Sequence, residues 1–169
     1  MTQDARIHAV KKRLERAITE LAMLPVENVV PPVKPGRYLL NTDSGVKRDG
    51  AALGWVLSDP DDHLIATHAE KIKPEVIRGA PIPGAEYCAL ISGLKFAHES
   101  RIRKLRAYVD NQTVVDQLNE DGAKVRNETL KRLWREATDL LGQFKDTRVY
   151  WIPRERNQVA DALVRIQLG

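Results

Sequence analysis

Residues 85–119, AEYCALISGLKFAHESRIRKLRAYVDNQTVVDQLN, change periodicity twice, and those changes decide the fold. The first part, AEYCALISGLKFAHES (85–100), puts Ala89, Leu90, Gly93, Leu94 and Ala97 on the helical face that also carries Glu86. LRAYVD (105–110) then reads as a strand and NQTVVDQLN (111–119) as a short helix. A helix, a strand and a helix in succession mark the onset of α/β alternation.

Toward the N-terminus the period becomes two. RYLLNTD (37–43), AALGWVLS (51–58) and HLIATHAEKI (63–72) predict three strands, with Gly45, Asp49-Gly50 and Asp59-Pro60-Asp61-Asp62 as the turns of an antiparallel meander. Gly79 to Gly84 reads as a loop. Toward the C-terminus, Leu130, Leu133, Trp134, Ala137, Leu140, Leu141 and Phe144 share one helical face, which predicts a helix over roughly 125–145. RVYWI (148–152) is a fifth strand, and QVADALVRIQL (158–168) is a last helix with Asn157 as its N-cap. The element order is βββαβααβα.

Residues 3–24 carry Ile7, Val10, Leu14, Ala17, Leu21 and Leu24 at steps of three and four, an amphipathic helix. PVENVVPPVKPG (25–36), with four prolines, ends that helix and reads as an extended linker. The expected organisation is an appendage over 1–36 and a main domain over 37–169. The helix has three readings: docking on its own domain, self-association, and a nucleic-acid arm using Lys11, Lys12, Arg13 and Arg16.

A length of 169 residues with 43% hydrophobic content supports one globular domain with a real core. The net charge of +4 is compatible with a nucleic-acid partner without requiring one. A single cysteine, Cys88, excludes an internal disulfide framework and any CxxC metal site, and points to a reducing, cytoplasmic setting. No stretch approaches the roughly 18–20 apolar residues of a membrane span, and MTQDARIHAVKKRLERA lacks a signal-peptide core. A soluble monomer with no membrane partner is expected.

Four acids stand at element junctions within apolar stretches: Asp43, Glu86, Asp110 and Asp161. Burying a carboxylate is costly unless a cation or strong donor compensates it. Each also has a local reading. Asp43 could form a turn, Asp110 could cap the following helix, and Glu86 and Asp161 could complement helix dipoles.

TDSG (42–45), AEYCALISGL (85–94), YVDNQTVV (108–115) and WIPRERNQVADAL (151–163) occur in this order on these elements. On these strings the chain resembles the type 1 ribonuclease H family over residues 37–169. The resemblance implies a ribonuclease H-like α/β fold: a five-stranded mixed sheet with helices on both faces, plus the N-terminal helix. It implies that Asp43, Glu86, Asp110 and Asp161 hold two Mg²⁺ ions, with Mn²⁺ as an alternative. The implied reaction is endonucleolytic hydrolysis of the RNA strand of RNA–DNA hybrids, leaving a 5′-phosphate. Four acids suit that task, because two closely spaced divalent cations need several hard oxygen ligands.

Candidate substrate contacts are Ser44 and Gly45 through their backbone, Asn111 and Gln112 beside the third acid, and the cations Lys124, Arg126, Arg154 and Arg156. Many family members carry a histidine in the loop before the last acid, whereas this chain has Pro153-Arg154-Glu155-Arg156. Its four histidines fall elsewhere and none is assigned to catalysis. The Asn119–Ala123 connection is short and lacks the basic protrusion of some relatives. Two other readings are a nuclease of this fold acting on another nucleic acid and a non-catalytic nucleic-acid-binding module.

Overall fold

The computed structural model describes residues 33–120 and 125–169. The expected helix over 3–24 and Lys124 lie outside the described residues. The elements are β1 (Tyr38–Lys47), β2 (Gly50–Ser58), β3 (Leu64–Ile72), α1 (Pro81–Glu99), β4 (Lys104–Val109), α2 (Gln112–Asn119), α3 (Glu128–Leu141), β5 (Asp146–Trp151) and α4 (Gln158–Leu168). Short 3-10 turns at Pro74–Ile77 and Arg154–Arg156 precede α1 and α4. The order is the expected βββαβααβα.

All five strands join one sheet in the order β3-β2-β1-β4-β5. The β1–β2 and β2–β3 pairs are antiparallel, and β1–β4 and β4–β5 are parallel. The expected mixed sheet is therefore present, with helices on both faces. Alternation along the strands assigns side chains to the two faces. Leu40, Leu53, Trp55, Leu57, Leu105, Ala107 and Val109 point to the side of α1 and form the main core with Ala89, Leu90 and Leu94. Val56 points the other way, into a smaller cluster with Ala160, Ala162 and Leu163 of α4. β2 is buried on both faces, which explains its nearly unbroken apolar run.

Close approach of α1 depends on Gly93, where a Cβ would stand 2.7 Å from Leu40 Cδ1. α3 packs on α1 and buries Leu133 and Ala137.

Several boundaries differ from expectation for physical reasons. Gly45 makes no turn: β1 continues through it to Lys47, and a Cβ there would lie 2.6 Å from Leu168 and 2.8 Å from Val164 of α4. The glycine serves helix–sheet packing. α1 begins at Pro81 instead of Ala85, since a first-turn proline loses no helical hydrogen bond. The predicted 125–145 helix is trimmed to α3. The Asn127 side chain caps its start by accepting from Leu130 N at 3.1 Å, and Gly142 follows its end. Phe144 is buried, but from beyond the helix. Asn157 occupies the N-cap position of α4 without a side-chain cap bond.

Candidate active site

The parallel β1–β4 pairing ends at Thr42 and Val109. Asp43 and Asp110 are the next residue on each strand, so two carboxylates stand where the strands part. β1 runs on beside β2 alone, whereas β4 gives way to α2. Such a crevice at the carboxyl ends of parallel strands is where open α/β sheets assemble their sites. α1 brings Glu86 to the crevice from one face of the sheet, and α4 brings Asp161 from the other.

Asp43 is 1% exposed and Glu86 5%. One carboxylate oxygen from each of Asp43, Glu86 and Asp110 lies within 4.8 Å of the others. Ser44 Oγ donates to Glu86 Oε1 at 2.6 Å. Asp43 Oδ2 and Glu86 Oε2 are buried without any hydrogen-bond partner. Burial, reinforced by the charge of Asp110, pushes the Asp43 carboxyl up to about 7. Burial also pushes Glu86 up to about 8, against the lowering effect of the Ser44 hydrogen bond. Asp110 is raised as well, first by burial and partly offset by Arg154. Orphaned acceptors crowded in this way lack only positive charge, and an all-oxygen anionic donor set fits a hard divalent cation.

Asp161 lines the same cleft, about 470 Å³ in volume, but stands apart from the trio. Both of its oxygens are engaged: Arg154 Nη2 donates to Oδ1 at 2.9 Å, and Arg165 Nη2 forms an ion pair with Oδ2 at 2.7 Å. The Asp161 hydrogen bond is the leading reason that the Arg154 guanidinium is held even more firmly protonated. Arg154 thus sets a permanent cation beside the acids, in the loop where many relatives were expected to carry a histidine.

The local alternatives for Asp110 and Asp43 are removed by their neighbours, while Asp161 does stand in the first turn of α4, where a dipole also favours an acid. Asn111, not Asp110, caps α2, accepting from Val114 N at 3.2 Å. Asp43 lies within a strand, opposite Gly54, and forms no turn. Asn157 is 2% exposed, and its Nδ2 donates to the Thr42 carbonyl at 2.7 Å. That bond ties the start of α4 to the residue preceding Asp43. The Asn157 Oδ1, the atom that would accept in a cap, is buried without a partner.

Of the expected substrate contacts, Ser44, Gly45, Asn111 and Arg154 line the cleft. Gln112 instead donates to Asp116 Oδ1 within α2, at 2.7 Å. Arg126 and Arg156 are exposed and outside the lining. Arg165 and Ile82 do line it and were not anticipated. For Arg165 a signal existed, because it lies four residues after Asp161 on one helix. A second group, Asp59, Asp61 and His63, is a closed turn: Asp59 accepts from the Asp61 and His63 amides at 2.9 Å and from Lys34 Nζ at 2.7 Å.

A family model described as reverse transcriptase-like matches residues 41–166, a span that includes all four acids. The chain belongs to this ribonuclease H-like family. Its relatives include ribonuclease HI of Halobacterium salinarum, 33% identical over 138 residues, which cover 80% of this chain and 66% of that protein. The crystal structure of RNase H1 from H. salinarum matches with a TM-score of 0.69 and 32% identity, over 79% of this chain and 98% of that one. The N-terminal RNase H domain of a Mycobacterium tuberculosis protein matches with a TM-score of 0.69 and 27% identity, over 79% and 94% of the two chains. In the curated sequence of that bifunctional mycobacterial protein, the match spans 21% of the length. Membership of the ribonuclease H-like family accords with acids at the ends of the central parallel strands and on the two flanking helices.

Proposed function

We propose that this chain is a metal-dependent endoribonuclease that hydrolyses the RNA strand of RNA–DNA hybrids and leaves a 5′-phosphate. The observation that carries the reading is the trio Asp43, Glu86 and Asp110, with one carboxylate oxygen from each within 4.8 Å of the others, and with Asp43 Oδ2 and Glu86 Oε2 buried without a donor. Such mutual repulsion is expensive to maintain without a cation to relieve it. The ligands are these three acids together with Asp161, and the ions are Mg²⁺, for which Mn²⁺ can substitute. When bound, the metal supplies an activated water and neutralises charge on the departing 3′-oxygen.

The protein's own groups prepare the site. Ser44 Oγ holds one oxygen of Glu86 and leaves the other free for ligation. Asn157 holds β1 and α4 together, so that Asp43 and Asp161 face one cleft. Asn111 commits its side-chain oxygen to the α2 cap and keeps its amide N–H groups for a 2′-hydroxyl. Arg154 offers its guanidinium to a backbone phosphate at the mouth of the cleft.

The same reading treats 37–169 as the catalytic domain, acting as a monomer. Residues 1–36 are then an appendage whose Lys11, Lys12 and Arg13 strengthen hybrid binding. A reducing, cytoplasmic setting is supported by the single Cys88, whose thiol burial pushes up to about 11 and so renders unreactive. Among the described residues no helix is long and apolar enough to cross a membrane.

The test is hydrolysis of an end-labelled hybrid beside duplex RNA and duplex DNA of the same sequence. Cleavage of the hybrid with Mg²⁺, its loss in EDTA and its loss by at least about a hundredfold in Asp110→Asn are expected. Cleavage that persists in Asp110→Asn removes the site assignment, and preference for either duplex removes the hybrid assignment. Deleting residues 1–30 should weaken hybrid binding, and unchanged affinity removes the role given to the appendage.

A further inference from the structure

α4 covers β1, β2 and β3 on its face of the sheet. On that same side, among the described residues, no helix packs on β4 or β5. The register shows what the uncovered strip presents. Arg106 pairs with Arg148 and Tyr108 with Tyr150, while the intervening Leu105, Ala107, Val109 and Val149 turn into the core on the opposite face. The two tyrosine rings stack with centroids 5.7 Å apart at 28°. The Arg106 guanidinium lies 5.9 Å from the centroid of the Tyr150 ring.

Charge on the strip is one-sided. Lys104, Arg106 and Arg148 project from it, and Arg37 reaches across from the start of β1 to pair with Asp146, the one acid of the strip. Arg106, Tyr108 and Tyr150 are half-buried and Arg148 is exposed, so ring and guanidinium surfaces remain open to a ligand. The strip is continuous with the cleft. Tyr108 precedes Asp110 by two residues, about 6.6 Å along a strand, and Asn41 beside it precedes Asp43 by the same step.

We infer that this β4–β5 face binds single-stranded nucleic acid running on from the cleft, with Tyr108 and Tyr150 as the stacking platform and Arg106 and Arg148 as phosphate contacts. Aromatic faces interleaved with cations on an open sheet are the combination that holds single strands without reading their sequence. Charge favours a polyanion over the chain's own residues 3–24, in which lysines and arginines outnumber acids. The inference rests on the nuclease reading only for its continuity with the cleft.

The test is fluorescence anisotropy of labelled oligo(dT) of twenty nucleotides with the full chain in EDTA, where no turnover occurs, over a range of salt concentrations. The wild type should bind. Arg106→Gln/Arg148→Gln should weaken binding about tenfold and flatten the logarithmic salt slope by about 1.4, as expected for two lost single-strand phosphate contacts. Tyr150→Leu, which keeps an apolar side chain on the face, should weaken binding about fivefold and leave the salt slope unchanged. Both variants should cleave a short blunt hybrid at the wild-type rate, which separates this inference from the nuclease reading. Failure of the wild type to bind, or equal affinity and slope in the arginine variant, overturns it. Binding that emerges only when residues 1–32 are removed assigns the face to that segment and also overturns it.

Discussion

Replacing Asp43 by Asn should stabilise the protein in EDTA while abolishing hydrolysis. Asp43 is 1% exposed, has one oxygen without a donor, and is held at about 7 against an ordinary value of 3.8. A folded-state pKa above the unfolded one means that the folded chain grips the proton more tightly. Stability is therefore fully present below about pH 4 and drains away as pH rises toward 7, where the folded state must bear the buried charge. At 1.36 kcal/mol for each pH unit, the interval corresponds to about 4 kcal/mol. Asn removes the charge but keeps a buried polar group, so a gain of about 2–4 kcal/mol is expected at pH 8. For a domain of this size that is roughly 5–15 °C in Tm. The assay is thermal unfolding of wild type and variant in EDTA from pH 4 to pH 9, repeated with Mg²⁺. The advantage should appear only as pH rises, and Mg²⁺ should shrink it by stabilising the wild type alone. A variant no more stable than wild type at pH 8 in EDTA, or equally advantaged at pH 4, would refute the reasoning.

Three further outcomes follow from particular contacts. Asn157→Ala deletes the 2.7 Å bond to the Thr42 carbonyl; it should cost about 0.5–1.5 kcal/mol in denaturant unfolding and raise the Mg²⁺ concentration needed for half-maximal stabilisation. Gly93→Ala sets a methyl 2.7 Å from the fully buried Leu40, and since neither α1 nor the sheet can yield freely, a loss of about 1–3 kcal/mol is expected by chemical denaturation. Trp151→Phe removes the 3.2 Å bond from Nε1 to the Asp110 carbonyl; hybrid hydrolysis should fall several-fold, with a Tm change of only about 2 °C because the side chain is half-exposed.

The elements that carry the four acids were legible in the chain, because hydrophobic periodicity is a local property, whereas their grouping into one site was implied only by the resemblance of four short strings to a known family. Glu86 is the clearest case: its helical spacing to Ala89, Leu90, Gly93 and Leu94 required it to face inward, and it does. Local patterns misled where a residue's role is set by a distant neighbour. Gly45 read as a turn, yet it is a strand residue kept small by Leu168 and Val164. Asn157 read as a helix cap, yet its side chain makes no cap bond and its Nδ2 donates to β1 instead. Phe144 extended the periodicity of α3 on paper but packs from beyond its end.

By itself the sequence determined the α/β class, the element order and the carboxylates available for ligation. The tertiary structure alone decided how those carboxylates are shared. Pairing of β1 with β4 stops at Thr42 and Val109 and so opens the crevice between Asp43 and Asp110, while α4 turns Asp161 toward Arg154 and Arg165. The reason is one of range. Face and period are set by neighbours three or four positions away, whereas a gap of a few ångströms between groups far apart in the chain is set by strand register and by how closely glycine lets a helix approach the sheet.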